Sequence, residues 1–182
     1  WLAAAVGLAL GLASLAFLAR QRQAPAAEAP VRTFPIEIGG TLAFGTDYPA
    51  SVVLSPQGDQ IAFVAESQGK RQIYLRPMDE LDPRPIAGTD NAQQPFFSPD
   101  GRWLGFFADG ALRKVSVRGG APVTLASARY GLGGAWSPEG WIVFAPSDAE
   151  GLRRVPENGG EAGGFSTVDL AAGEQGHWSP AL

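Results

Sequence analysis

Residues that could form a nucleophilic catalytic centre are scarce in this sequence. A catalytic triad needs a serine, a histidine and an acid in one cluster, and the sequence contains a single histidine, His177. The Gly-x-Ser-x-Gly turn that exposes a nucleophilic serine is absent. Because His177 directly precedes Trp178-Ser179-Pro180, we expect it to contact that turn or solvent. The sequence therefore predicts no catalytic residue, and one histidine without any cysteine also disfavours a zinc site.

The carboxylates Asp100, Asp109 and Glu139 are interpreted as turn residues. Paired-acid glycosidase chemistry requires two carboxylates that face one cleft, which sequence spacing does not show. The side chain of Asp commonly stabilises turns by hydrogen bonds to nearby backbone groups, so a structural role is preferred for these carboxylates. The glycine-rich run Gly131-Leu132-Gly133-Gly134 lacks the lysine and the strand-to-helix context of a phosphate loop. We expect no cofactor, and the ligand-binding residues stay unassigned.

Two basic pairs, Arg113-Lys114 and Arg153-Arg154, are separated by about 40 residues. At equivalent places on adjacent structural repeats they would present an anion-binding strip, but solvated strand positions explain them equally well. The formal net charge is −4, and residues 1–33 hold three arginines and one glutamate, which leaves 11 basic and 17 acidic residues in 34–182. Such an acidic region disfavours binding to a phosphate backbone, so we expect no nucleic-acid partner.

One four-residue turn, Ser-Pro-x-Gly, recurs along the chain at intervals of about 40 residues. Its copies are Ser55-Pro56-Gln57-Gly58, Ser98-Pro99-Asp100-Gly101 and Ser137-Pro138-Glu139-Gly140, and a fourth begins at Ser179-Pro180. Serine accepts backbone N–H bonds, proline fixes φ at the second position, and glycine adopts a positive φ at the fourth. We call these segments the Ser-Pro turns. Repeats of this length indicate stacked or radially arranged units.

Short apolar and aromatic runs before and after each Ser-Pro turn predict antiparallel strands. Two further runs follow in each period, separated by turns such as Asp109-Gly110 and Gly119-Gly120. The fourth run of each period is predicted at 85–86, 122–125 and 164–168. Four short strands in about 40 residues are typical of a propeller blade. We therefore predict an all-β fold, a partial β-propeller of about three and a half blades over residues 34–182.

The block from Phe96 to Gly110, Phe-Phe-Ser-Pro-Asp-Gly-Arg-Trp-Leu-Gly-Phe-Phe-Ala-Asp-Gly, resembles TolB-like β-propeller repeats. The Gly-His and Trp-Asp signatures of WD repeats are absent. The order of apolar segment, Pro/Ala-rich spacer and repeats, which contain Tyr74-Leu75-Arg76-Pro77-Met78-Asp79, resembles the region after the membrane helix of bacterial transmembrane serine/threonine protein kinases. That resemblance implies a sensor or protein-interaction domain. The kinase motifs His-Arg-Asp and Asp-Phe-Gly do not occur, so a kinase domain would lie outside this sequence.

Residues 1–19 contain no charged side chain and would extend roughly 28 Å as a helix, enough to cross a bilayer. We predict a single transmembrane helix there, followed by a Pro/Ala-rich linker at 20–33. A signal peptide is the alternative, although the apolar stretch is longer than usual and lacks a basic start. Gly7 and Gly11 form a small-xxx-small step that would permit a helix dimer, and chance explains that spacing in an Ala-rich span too.

The ends of the sequence suggest a fragment. The sole methionine is Met78, and a closed propeller typically has 4 to 8 blades. Residues 34–38 are predicted to form an outer strand that closes the ring. Arg20 and Arg22 would place their flank of the membrane helix in the cytoplasm, whereas the kinase resemblance implies a periplasmic propeller at the cytoplasmic membrane.

Three functions remain open from the sequence. The preferred one is a non-catalytic sensor domain of a membrane-bound serine/threonine kinase, which binds a protein, peptide or glycan. The second is the substrate-gating propeller of a membrane-anchored prolyl-oligopeptidase-type serine peptidase. The third is a stand-alone exported scaffold propeller.

Overall fold

The computed structural model describes residues 52–181, which form three four-stranded antiparallel sheets. Blade 1 contains β1 (Val52–Leu54), β2 (Gln60–Ser67), β3 (Lys70–Pro77) and β4 (Arg84–Pro85). Blade 2 contains β5 (Gln93–Phe97), β6 (Trp103–Ala108), β7 (Ala111–Ser116) and β8 (Val123–Ser127). Blade 3 contains β9 (Gly134–Trp136), β10 (Trp141–Phe144), β11 (Arg153–Pro156) and β12 (Gly163–Gly164). The first strands of neighbouring blades contact one another, so the predicted propeller blades are confirmed within this range.

The Ser-Pro turns join the first and second strands of every blade. In each turn the glycine N–H donates to the serine carbonyl, at 2.9, 2.9 and 3.1 Å in blades 1 to 3. The φ angles of Gly58, Gly101 and Gly140 are 71°, 70° and 81°. This left-handed backbone is accessible to glycine at little cost, which explains the recurring residue type. The serine hydroxyl accepts a backbone N–H as predicted, for example from Trp103 to Ser98 at 3.0 Å.

Two-residue hairpins connect the second and third strands of blades 1 and 2. Their central residues, Gln68-Gly69 and Asp109-Gly110, all have positive φ. Such turns match the right-handed twist of the flanking strands. The strand pairs run into them without a register shift, closing on Ser67 with Lys70 and on Ala108 with Ala111. The Asp109-Gly110 hairpin is therefore confirmed.

The hydrophobic core lies in two layers between successive blades. The layer between blades 1 and 2 includes the fully buried Ile73, Leu75, Leu104 and Phe106. The layer between blades 2 and 3 includes Phe96, Phe107, Leu112, Trp136, Ile142, Phe144 and Val155. Blade 2 thus buries one face against blade 1 and the other against blade 3, as the short repeat length requires.

Phe96 fills the contact between blades 2 and 3. Its ring centroid lies 6.4 Å from that of Phe107 and 6.5 Å from that of Trp136. The same ring covers Gly105 of β6 and Gly134 of β9, where an added Cβ would lie less than 3.0 Å from ring carbons. Both glycines are consequently required by space rather than by backbone conformation.

The outer strand of blade 3 differs from the prediction. Strand β12 covers only Gly163–Gly164, so the predicted extension to residue 168 is wrong. The N–H groups of Phe165 and Ser166 both donate to the Leu152 carbonyl, at 2.8 and 3.1 Å, which turns the chain out of the sheet. Within the described range, helical structure is limited to the 3-10 turn Leu170–Ala172.

Several predicted elements lie outside the described residues. These are the membrane helix at 1–19 with its Gly7 and Gly11, the linker at 20–33, and the closing strand at 34–38. Between residues 52 and 181, the structure contains no helix with the length and apolar character needed to span a membrane.

Candidate ligand site between blades 2 and 3

A cleft of about 360 Å³ opens between blades 2 and 3, on the side of the molecule that carries the Ser-Pro turns. Blade 2 contributes its Ser-Pro turn, the start of β6 and the end of β7. Blade 3 contributes the end of β9, its Ser-Pro turn and the turn after β11. The lining residues are Ser98, Pro99, Asp100, Arg102, Trp103, Lys114, Trp136, Ser137, Pro138, Glu157 and Asn158.

Lys114 is the central cation of this cleft. It lies on β7 directly opposite Gly105, so no side chain from that partner residue competes for the space. Only 8% of Lys114 is exposed. Its Nζ lies 4.8 Å from the centroid of the Trp103 ring and 5.9 Å from that of Trp136. Two indoles from different blades therefore flank the ammonium group, an arrangement worth about 0.5–2 kcal/mol per contact.

The hydrogen bonding of Lys114 is sparse. Its Nζ donates to Oδ1 of Asn158 across the blade interface at 3.5 Å, which is a long contact. No salt bridge connects Lys114 with any residue in the 52–181 range, although ion pairs occur elsewhere in that range. An ammonium can donate three hydrogen bonds. Among residues 52–181 the Lys114 ammonium thus has no direct ion-pair partner, although the carboxylates of Asp100 and Glu157 line the same cleft.

The two carboxylates of the cleft already have donors of their own. Glu157 accepts a hydrogen bond from Nε1 of Trp136 at 2.9 Å. Asp100 accepts from the Ser98 hydroxyl at 2.6 Å, and from the backbone N–H and Nε of Arg102 at 3.0 and 2.7 Å. The Ser98 hydrogen bond, followed by those from Arg102, lowers the pKa of Asp100 to about 2. Asp100 therefore stays ionised at the rim throughout the ordinary pH range.

The equivalent place between blades 1 and 2 is built differently. There Leu75 occupies the strand position of Lys114, since it pairs with Ala62 as Lys114 pairs with Gly105. Phe97 stands where blade 3 has Trp136, one residue before the Ser-Pro turn. The Gln57 side chain also crosses to the carbonyl of Pro99 at 3.4 Å. Of the two blade interfaces within residues 52–181, the charged cleft thus occurs only between blades 2 and 3.

The two basic pairs noted in the sequence split into two roles. Arg113 forms an ion pair with Asp109 at 3.2 Å, and Arg153 forms one with Glu150 at 3.1 Å. The second members lie over tryptophans: Lys114 over Trp103, and Arg154 over Trp141 at 4.9 Å. Because Arg113 and Lys114 point to opposite faces of β7, the pair does not act as one anion-binding strip.

Sequence reasoning missed the tryptophans as part of a site. Trp103 and Trp141 follow successive Ser-Pro turns, and the turn spacing assigns no binding role to either of them. A usable signal was present, because each tryptophan begins a second strand that pairs with the strand carrying Lys114 or Arg154. Burial by the next blade then distinguishes Lys114 from the exposed Arg154.

His177 lies in a chain of hydrogen bonds with a serine and an acid. Its Nδ1 is 2.6 Å from Oγ of Ser166, and its Nε2 is 3.1 Å from Oε2 of Glu174. Ser166 Oγ already accepts the N–H of Leu152 at 2.9 Å. The N–H groups of Phe165 and Ser166 are both bonded to the Leu152 carbonyl, so neither can stabilise an oxyanion. This array ties residues 166–177 to blade 3 and does not support nucleophilic catalysis.

The remaining polar candidates are separated from one another. Asp109 lies in its hairpin, and Glu139 accepts a hydrogen bond from the Ser137 hydroxyl. In the glycine-rich run before β9, the Leu132 N–H donates to Ala145 and the Gly133 carbonyl accepts from Ala145, so the run belongs to the blade. Across residues 52–181, no group of three or more potential metal-ligating side chains comes together.

Comparison with known proteins shows the fold. No protein-family model matches the chain, and no curated protein matches it in sequence. A solved structure assigned as TolB from Agrobacterium tumefaciens is similar, with 23% identity, a TM-score of 0.57 and coverage of 71% of this chain and 50% of that one. TolB from Acinetobacter baumannii follows with 16% identity, a TM-score of 0.50 and coverage of 62% and 33%.

A more distant similarity is to the β-propeller domain of the trilobed protease from Pyrococcus furiosus, with 15% identity, a TM-score of 0.47 and coverage of 64% and 43%. That score is too low to support an argument. The chain spans half or less of the length of these three structures. The fold is therefore that of a TolB-like β-propeller.

Proposed function

We propose that this chain is the non-catalytic sensor and protein-interaction propeller of a membrane-bound bacterial serine/threonine protein kinase, whose kinase domain lies outside the sequence. The observation that carries the binding role is the cleft between blades 2 and 3. Burial of an ammonium group between two indoles lowers the stability of the fold unless other interactions compensate, so its presence supports a binding role. Rigid strands hold these groups in place before any ligand arrives, which lowers the entropic cost of binding.

The kinase context is supported by the sequence resemblance described above. An apolar segment, a Pro/Ala-rich spacer and TolB-like repeats follow one another in the order found in such receptors. In this arrangement the propeller is periplasmic, the predicted helix at 1–19 crosses the cytoplasmic membrane, and the propeller binds a protein, peptide or glycan ligand.

The test uses the full-length parent protein in detergent. We expect ATP-dependent phosphorylation that is retained when residues 34–182 are deleted and lost when the region before Trp1 is removed. A parent without a glycine-rich loop, His-Arg-Asp and Asp-Phe-Gly upstream of Trp1 would contradict the kinase assignment. A Gly-x-Ser-x-Gly turn and a later histidine downstream would instead identify the peptidase alternative.

A further inference from the structure

We infer that the cleft between blades 2 and 3 binds the carboxylate of an acidic peptide segment, with Lys114 as the cation that recognises it. This inference deepens the proposed ligand-binding role of the propeller and is independent of the attached kinase. Four features of the described residues support it: the lack of an ion-pair partner for Lys114, the size of the cleft, the position of the ammonium over two indoles and the absence of such a cleft between blades 1 and 2.

The charge of Lys114 selects an anion. Burial of an ammonium group costs several kcal/mol unless an opposite charge and hydrogen bonds compensate. Two cation–π contacts and one 3.5 Å hydrogen bond to Asn158 offset only part of that cost. A carboxylate that enters the cleft would accept charge-assisted hydrogen bonds from Nζ, and these are stronger than neutral ones.

The size of the cleft limits the ligand. A volume of about 360 Å³ is at the lower end of the range of about 300–1,000 Å³ that is typical of small-ligand sites. Pro99 and Pro138 border the cleft with rigid rings. The cleft therefore accommodates a side chain with its flanking peptide groups, and is too small for a folded domain.

The ammonium of Lys114 over the two indoles favours a charged ligand over a neutral sugar. Sugars bind to proteins by stacking on free aromatic faces, but here the Lys114 ammonium lies over both indoles. Trp136 is only 7% exposed, and its N–H is bonded to Glu157. Trp103 is 36% exposed, but the ammonium lies over its ring. A ligand that enters the cleft therefore meets the Lys114 charge together with the Trp103 ring, which favours a charged ligand over a neutral one.

The absence of this arrangement between blades 1 and 2 argues against a purely architectural role. Leu75 and Phe97 fill the corresponding positions there and pack in the apolar layer between those blades. A hydrophobic pair is therefore compatible with the blade interface. Trp136 still packs in the apolar layer between blades 2 and 3, so the change is the lysine in place of a leucine. Ligand recognition explains why a charged side chain stands there.

The test is calorimetric titration of the full chain with four defined probes. The first is the peptide acetyl-Ala-Ala-Glu-Ala-amide, and the second is its Gln counterpart, which carries no carboxylate. The third is the Gln peptide with a free C-terminal carboxylate, and the fourth is D-glucuronate. We expect binding of the Glu peptide to be about tenfold or more tighter than that of the uncharged Gln peptide. The third probe shows whether a terminal carboxylate also serves.

Three variants locate the interaction. Lys114→Met should weaken binding of the Glu peptide about tenfold or more, whereas Lys114→Arg, which keeps the charge, should retain most of it. Arg154→Met is the matched control, because Arg154 holds the equivalent position over Trp141 in blade 3. A fourth variant, Glu157→Gln, preserves the acceptor for Trp136 but removes a negative charge, and should tighten binding about twofold or more.

The outcomes separate this inference from the proposed function. Equal binding of the Glu and Gln peptides, or no binding of any peptide at millimolar concentration, overturns the inference. Binding of D-glucuronate alone also overturns it and makes the cleft a glycan site. If Lys114→Met does not fold, the Glu157→Gln result decides. Unchanged binding in Lys114→Met places recognition elsewhere in the propeller and leaves the proposed function standing, whereas a parent without a kinase domain contradicts only the latter.

Discussion

The contact of Phe96 with Gly105 offers a sharp test of how blades 2 and 3 pack. A Cβ added at Gly105 would lie within 3.0 Å of three atoms of the Phe96 ring, whereas ordinary contacts begin at 3.4 Å. The ring cannot retreat freely, because Gly134, Phe107 and Trp136 surround it. Overpacking of this kind costs about 1–3 kcal/mol. The loss of glycine flexibility in the unfolded chain returns roughly 0.5–1 kcal/mol.

We therefore expect Gly105→Ala to lower the free energy of unfolding by about 1–2 kcal/mol. For a chain of this size the corresponding fall in Tm is roughly 2–8 °C. Differential scanning calorimetry and urea denaturation of the full chain measure both quantities. With Phe96→Leu as a second substitution, the smaller side chain leaves room for the added methyl group. The double variant should therefore lose less stability than the sum of the losses in the two single variants.

Gly163→Ala is the matched control for this experiment. Gly163 also lies in a strand and has an ordinary φ, but no atom lies within 4 Å of its added Cβ. The Tm of the Gly163→Ala variant should equal that of the parent chain or be slightly higher. Equal stability of Gly105→Ala and the parent chain, or strict additivity of Gly105→Ala and Phe96→Leu, would refute the packing argument.

Two further predictions concern buried hydrogen bonds and acid stability. Thr89→Val should lower the free energy of unfolding by about 1–3 kcal/mol in urea denaturation, because the buried Thr89 hydroxyl accepts the Ile73 N–H at 3.0 Å and donates to the Ile86 carbonyl at 2.7 Å. The control Thr124→Val changes an exposed threonine and should alter the free energy of unfolding little. Equal effects of the two substitutions would contradict this reasoning. The lowered pKa of Asp100 means that its carboxylate stabilises the folded state fully above about pH 4 and loses that contribution as pH falls towards about 2. The Tm difference between the parent chain and Asp100→Asn should accordingly be largest above pH 4 and shrink at pH 2, and a pH-independent difference would contradict the assignment.

Much of the fold was predictable because local chemistry specifies it. Gly58, Gly101 and Gly140 occupy turn positions that need a positive φ, and the Asp109-Gly110 pair encodes a tight hairpin. The short apolar runs between these turns then have few alternatives to antiparallel strands. Prediction was weaker at β12, where the run that begins at Gly164 does resemble a strand. There, donation from Phe165 and Ser166 to a single carbonyl decides the path, and no local pattern reveals it.

The candidate site was less predictable because it forms between blades. Lys114 was noted in the sequence as one of two basic pairs, yet its burial depends on blade 3 covering blade 2. Trp136 lies 22 residues further along the chain, and only tertiary packing brings its ring near Nζ. Similarly, the hydrogen bonds of His177 with Ser166 and Glu174 follow from a local fold that sequence spacing did not indicate.

The most direct measurement is a ¹H–¹⁵N spectrum of the tryptophan indoles of the full chain during titration with the peptide acetyl-Ala-Ala-Glu-Ala-amide. The account predicts saturable shifts of the indole signals of Trp103 and Trp136, which flank Lys114, and no shift for Trp178, whose Nε1 donates to the Asp148 carbonyl outside the cleft. The uncharged Gln peptide should leave all three signals unchanged. Unshifted Trp103 and Trp136 signals, or equal shifts with the two peptides, would contradict the carboxylate site.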